Sequence, residues 1–218
     1  MAKAVKPLAA KSSRSYDSSR RQEQARETER AVLRAASELF VGRGYARTTL
    51  ADVASHAGVS VETIYSRFRN KPGLLHRVWD VTIGGDDEEV VFHERPEIVA
   101  MRQEPDLAKR LALHAALMTQ TAHRIAPFML MLQGAADAEP AAKEMLEEIG
   151  RQRLAGMTVM AMAAAETGQL AVSMEDCRDF VWALTDGMLW HRLVEERGWS
   201  DERFTQHLAA ILVSTLVR

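Results

Sequence analysis

Only one residue of 218, Cys177, is a cysteine, which excludes an internal disulfide framework and fits a reducing compartment. The chain also lacks the roughly 18 to 20 uninterrupted apolar residues that cross a bilayer. Its longest candidate, Leu154 to Ala165, is interrupted by Gly156 and Thr158, so no membrane partner is expected. The N-terminus has no apolar secretory core, because Leu8, Ala9 and Ala10 run directly into Lys11, Ser12 and Ser13. A cytoplasmic location is the expectation. Glycine loops that cradle phosphates and nucleophile elbows are missing as well, so no catalytic residue and no cofactor is expected. Strand signals are nearly absent, while apolar residues recur at three- and four-residue spacing along most of the chain. The fold class that follows is all-α.

A net charge of only -2 conceals an asymmetry. Residues 1–71 carry 14 Lys and Arg against 7 Asp and Glu, which leaves 14 against 23 for the remainder. A basic third joined to an acidic, apolar remainder suggests an anionic polymer as partner for the first part alone. Residues 1–21, rich in Ser, Lys and Arg, are expected to form a disordered basic tail. Patterned helices follow, at about 23–41, 49–58, 60–68 and 70–81. Gly42 and Gly44 stop the first; Thr49, Ser60 and Asn70 supply N-caps for the others, and Pro72 sits in a first turn where its missing N–H matters little. The acidic run from Gly84 to Glu89 marks a connection between domains. Beyond it helices are placed at 106–125, 127–136, 140–167, 174–197 and 201–217, with breaks at Pro127, Asp137, Gly168 and Gly198.

The stretch 49–68, TLADVASHAGVSVETIYSRF, has the two-helix pattern that puts a recognition helix into the DNA major groove. Val53, Ala54, Ala57, Val59, Ile64 and Phe68 give inward apolar positions on both sides of a turn at Gly58, a residue suited to a left-handed backbone. With the preceding helix included, residues 30–78 resemble the DNA-binding domain of the TetR family of bacterial transcriptional regulators. The likeness is carried by Phe40, Gly44, Tyr45, Thr48 and Thr49, by the Ala57-Gly58-Val59-Ser60 turn, and by Thr63, Tyr65, Phe68, Lys71 and Leu74. It implies a three-helix helix-turn-helix domain at 22–81 and a larger helical ligand-binding and dimerisation domain at 82–218. It implies further that Thr49, Tyr65 and Lys71 meet phosphates, and that Ser60, Val61, Glu62 and Thr63 face base edges. A Lys or small residue is common in the family where Val61 and Glu62 stand, so readout here would rest on a thymine methyl against Val61 or a cytosine amino group on Glu62. Arg67 and Arg69 are expected either to touch phosphate or to be solvated surface groups.

Ten of the eleven methionines lie from Met101 onward, and methionine adapts to irregular volumes. A soft helical core accounts for them; so does a binding cavity for a mostly apolar small molecule. The candidate cavity residues are His114, Met118, His123, Met131, Met157, Met160, Trp182, Asp186 and Trp190, apolar walls with a few polar anchors. No metal site is expected. His114 and His123 are nine residues apart, about 180° around a helix, and the pair His191 and Glu195 has no further ligand nearby. Cys177 reads as a structural thiol.

Apolar stripes in the last two helices, Phe180, Leu184 and Met188, then Leu208, Ile211, Leu212 and Thr215, exceed what one small domain needs to cover. The resemblance implies that two helices of each subunit meet there in a homodimer, with Gly187 permitting close approach. The helix 70–81 is the expected relay between domains, its end meeting the larger domain through Trp79; the alternative reading makes Trp79 plain interdomain core. The expected function is a ligand-responsive regulator, a repressor released from operator DNA by a small-molecule effector. An effector-independent architectural DNA-binding protein and an enzyme or carrier with an attached DNA-binding domain are the alternatives.

Overall fold

The computed structural model describes residues 12–85 and 95–218, with side chains from residue 20 onward. Ten helices are formed by the described residues: α1 Ser12–Arg43, α2 Leu50–Ala57, α3 Val61–Phe68, α4 Lys71–Gly84, α5 Pro96–Gln103, α6 Leu107–Ala135, α7 Pro140–Ala165, α8 Met174–Leu184, α9 Met188–Trp190 and α10 Asp201–Leu216. A π-helical turn, His191–Glu195, continues α9. The extended pairing among them is one antiparallel bridge between Leu170 and Val217, which ties the segment after α7 to the chain end.

Two hydrophobic cores divide the molecule. The first joins α1 to α4 and takes in one end of the larger domain: Phe40, Val53, Ile64, Leu74 and Trp79 pack with Phe128, Leu132, Met145 and Ile149. The second lies between α6, α7, α8 and α10, around Leu111, Ala115, Met160, Val181, Trp190 and Leu208. Helix α6 runs through both, and Pro127 falls between Ala126 of the second core and Phe128 of the first.

Several elements differ from the sequence expectation. Helices expected at 106–125 and 127–136 are one, because Ala126 and Phe128 are buried on either side of Pro127 and their packing holds the helix through a residue that usually breaks it. The opposite happens at 174–197. Gly187 adopts φ +88°, closed to a continuing helix, and the Asp186 carboxylate accepts the Met188 N–H at 2.8 Å to start α9 afresh. Helix α5 was not expected. The first helix begins at Ser12 rather than near residue 23, since no Gly or Pro interrupts the chain between Pro7 and Gly42; it takes in part of the expected tail. Residues 1–11 of that tail, and most of the acidic connection, lie outside the described residues.

Candidate nucleic-acid interface

Helix α2 begins with a reciprocal cap. The Thr49 hydroxyl accepts the Asp52 N–H at 3.1 Å, while the Asp52 carboxylate accepts the Thr49 N–H at 2.8 Å and its hydroxyl at 2.6 Å. Those bonds hold the Asp52 carboxyl below its usual range. The helix closes at Gly58, φ +69°, and the Val59 N–H reaches back to the Ala54 carbonyl at 3.0 Å. Ser60 then caps α3 by accepting the Thr63 N–H at 3.2 Å. Ile64 and Phe68 turn into the first core, and Glu62, Tyr65 and Ser66 turn to solvent, Tyr65 with 53% of its surface exposed. Hydrogen bonds from its own amide and from Ser60 lower the Glu62 carboxyl, so a fixed negative charge stands at the N-terminus of α3. Val61 is half-buried against the core, and Thr63 is half-buried with its hydroxyl 3.1 Å from that of Ser60.

The basic residues are held by partners far away in sequence. Lys71 donates to the Tyr45 carbonyl at 2.6 Å and lies over the Tyr45 ring at 4.0 Å. Burial lowers its pKa, against the raising effect of Glu139 from the α6–α7 connection. The Tyr45 phenol is pushed up to about 12, first by burial and then by Glu139. Arg67 donates to the Glu29 carboxylate of α1 through Nε at 2.7 Å and through its terminal nitrogen; Arg77 of α4 donates to the other Glu29 oxygen at 3.1 Å. One carboxylate thus ties α3, α1 and α4 together. Sequence reasoning missed Glu29 and Arg77 because nothing local signals a bridge spanning 38 and 48 residues.

After α3 the chain turns abruptly. Arg69 adopts φ +66°, ψ -47°, and the Asn70 N–H closes on the Phe68 carbonyl at 2.8 Å, a γ-turn of the strained hand. Gly73 was also missed. A Cβ there would sit 2.2 Å from the Phe68 carbonyl oxygen, so only glycine lets α4 start this close to α3.

In the larger domain the nine expected cavity residues do not gather in one place. Met157, Met160 and Trp190 belong to the second core, and His114 is buried; Met131 belongs to the first core, and Met118 is half-buried. His123 lies exposed on α6, bonded to Asp201 at 2.6 Å, and Asp201 also accepts the Trp190 indole N–H at 2.8 Å. Trp182 is exposed beneath the Arg153 guanidinium. Asp186 lines an open cleft of about 510 Å³ with Leu130, Leu184, Met188 and His191. The separation of Met131 follows from its place beyond Pro127, on the other core.

The expected dimer residues divide similarly. Phe180 and Ile211 are exposed at 47% and 44%, and Thr215, Leu184 and Met188 are half-buried. Leu208 and Leu212 are buried within their own chain, which removes them from any contact surface. Gly187 faces Ala126 of the same chain, 3.6 Å from the position of a Cβ. No group of acidic, histidine or cysteine side chains suited to a metal ion occurs among the described residues, and no helix among them is long and apolar enough to cross a membrane.

Comparison with known proteins follows the same division of the chain. A 61-residue stretch is 46% identical to the HTH-type transcriptional regulator TtgR of Pseudomonas putida, a match covering 28% of this chain and 29% of that regulator. Two solved structures resemble the whole fold. NalD of Pseudomonas aeruginosa, described as the secondary repressor of the MexAB-OprM multidrug efflux pump, superposes with a TM-score of 0.67 at 20% identity, over 90% of this chain and 98% of that one. The SmeT–triclosan complex does so at 0.62 and 20%, over 88% and 92%. Residues 32–78, from the buried face of α1 through Val78, match the family described as bacterial regulatory proteins, tetR family; this N-terminal helix-turn-helix is similar to that family's, and the helical domain behind it shares the fold of the two solved structures.

Proposed function

We propose that the protein is a DNA-binding transcriptional regulator that docks on a near-palindromic operator as a homodimer, represses there, and leaves when a mostly apolar small molecule enters the larger domain. The observation that carries the reading is α3: a short helix capped at Ser60, anchored by Ile64 and Phe68, with Tyr65 standing free at its solvent face. Its setting is the basic third of the chain. Tyr65 is the proposed phosphate donor and Glu62 the residue nearest to base edges, while Thr49, whose N–H and hydroxyl both donate to Asp52, sets the start of α2. Arg67 and Lys71 hold the helix in place through Glu29 and Tyr45, so their contribution to DNA binding is positional first. Repression is supported by the description of NalD, and a small-molecule effector by the SmeT–triclosan complex. The action is binding without turnover, in the cytoplasm.

A two-fold dimer would set its two recognition helices about 34 to 36 Å apart, one turn of DNA. An effector changes operator affinity only through unequal affinity for two conformations, and coupling of about 1 to 3 kcal/mol corresponds to roughly 5- to 150-fold. Competition binding of a selected operator against scrambled DNA at fixed salt tests the reading, with the salt series giving the number of phosphates neutralised. A selected site is expected to win clearly; equal affinity for both sequences sinks the regulator.

A further inference from the structure

Five polar side chains are buried among the described residues: Thr48, Arg110, His114, Thr119 and Thr121. The threonines donate to main-chain carbonyls, and Arg110 donates to the carbonyls of Glu104 and Ala163. His114 is 2% exposed, and neither ring nitrogen has a hydrogen-bond partner. Buried polar atoms are normally paired, and an exception asks for a reason.

The surroundings supply one. His114 stands one turn beyond Arg110, on the same face of α6. The Arg110–Ala163 bond, 2.9 Å, sets that face against the end of α7. Because α6 and α7 run antiparallel, a turn forward along α6 is matched by a turn back along α7, at Met160. Met118 lies a further turn along α6 and Met157 on α7; both are half-buried. Thioether side chains change rotamer readily and refill altered volumes. A single unpaired polar group among compliant apolar walls has the composition of a small-molecule site.

We infer that His114 is the polar anchor of a site between α6 and α7 for an uncharged, mostly apolar molecule carrying a hydroxyl group, such as an alkylphenol, whose hydroxyl donates to a ring nitrogen. The inference rests on the reading of the larger domain as the effector domain and names the chemistry that domain takes. No Asp or Glu is among the buried polar residues, so a cation would enter without a counter-charge. Arg110 does not call for a carboxylate, because its charge already lies at the C-terminal ends of α5 and α7, where carbonyls and helix dipoles receive it. Burial pushes the imidazole down to about 4, which leaves the ring neutral near pH 7 with one nitrogen accepting and the other donating.

Calorimetry on the full chain without DNA tests the site, using para-butylphenol, para-butylanisole and para-butylbenzoate. The phenol should bind about tenfold or more tightly than its methyl ether, the difference of a hydrogen bond made in a buried setting. His114→Phe should abolish that preference while the melting temperature holds or rises, since an aromatic ring still fills the place and the unpaired nitrogens are gone. Equal binding of phenol and ether to the wild type, a preference that survives in His114→Phe, or failure of all three probes to bind overturns the proposal. Tighter binding of the benzoate overturns the uncharged class. If His114→Phe unfolds by circular dichroism, the ring nitrogen resonances of His114 in the labelled wild type decide: they should shift on addition of the phenol, and signals unmoved at saturation refute the anchor. Binding at His114 that leaves operator affinity unchanged removes the effector reading and leaves this site standing.

Discussion

The Phe68 carbonyl is the point where the N-terminal domain is most tightly drawn. It accepts the Asn70 N–H across a γ-turn centred on Arg69, and Gly73 approaches it closely enough that a Cβ would stand 2.2 Å away. Gly73→Ala must therefore push α4 away from α3, and a loss of about 1 to 3 kcal/mol is expected in urea unfolding, with operator affinity falling alongside. Arg69→Gly should do the reverse to stability. Relief of a positive φ at a non-glycine residue is expected to add about 1 kcal/mol, while any phosphate contact of the guanidinium disappears and flattens the salt dependence of DNA binding. His114 gives a prediction in pH. Burial lowers its pKa from the ordinary imidazole value of 6.5 to about 4 in the folded chain, so the unfolded chain binds the extra proton first as pH falls. Stability contributed by the neutral ring is complete above about pH 6.5 and lost progressively down to about pH 4, by about 3 kcal/mol in all. Urea midpoints measured across that window should fall in the wild type and flatten in His114→Phe; parallel slopes would refute the assignment. Single residues were the hardest part of the site to read from sequence. Thr49 and Ser60 show themselves through a cap whose partner is three residues away, whereas Arg67 and Lys71 find partners 38 and 26 residues away.

Among the elements, α6 has the most consequence, because one helix serves both cores and its proline lies at their junction. Pro127 supplies no N–H to the carbonyl four residues earlier, and its ring crowds that carbonyl. Pro127→Ala restores the bond at the loss of some rigidity in the unfolded chain. A net gain of about 1 to 2 kcal/mol is expected, read from chemical unfolding. The same substitution removes the gap in the hydrogen-bond ladder between the two cores, so under the proposed function it should weaken the effect of a ligand on operator affinity. A variant less stable than the wild type would mean that the proline ring itself is needed to seat both cores. Helix existence was legible wherever a polar cap meets an apolar stripe, as at Thr49, Ser60 and Asn70, whose side chains each accept a first-turn N–H. It was not legible where packing overrode local preference. Ala126 and Phe128 carry α6 across Pro127, and Gly187, turned to φ +88° against Ala126, divides what reads as one amphipathic helix at 174–197.

At the scale of the molecule, helices α1 to α4 are not an independent module. Trp79 at the far part of α4 meets Phe128 of α6 with ring centroids 5.5 Å apart, and Glu139 biases the protonation of both Tyr45 and Lys71. A change in the position of α6 is therefore felt by the helix that follows the recognition helix. For that change to act on an operator with two half-sites, two copies must be joined, and adjacent residues of α10 separate joining from folding. Ile211 is 44% exposed and Leu212 is 1% exposed. Phe180 of α8, a helix that touches α10, is exposed as well. A stable interface covers about 800 Å² on each partner and has a desolvated apolar centre, so a charge on its face disrupts association while the fold persists. The double variant Phe180→Asp with Ile211→Asp should sediment as a folded monomer at micromolar concentration and bind the operator with half-site affinity only. Leu212→Asp should instead lose its cooperative thermal transition, because an unpaired carboxylate is driven into the second core. A folded Phe180→Asp, Ile211→Asp variant that still sediments as a dimer with full operator affinity would move the interface off this face, and the exposed apolar residues of α7, Leu154, Val159 and Met162, would then be the next to carry charge.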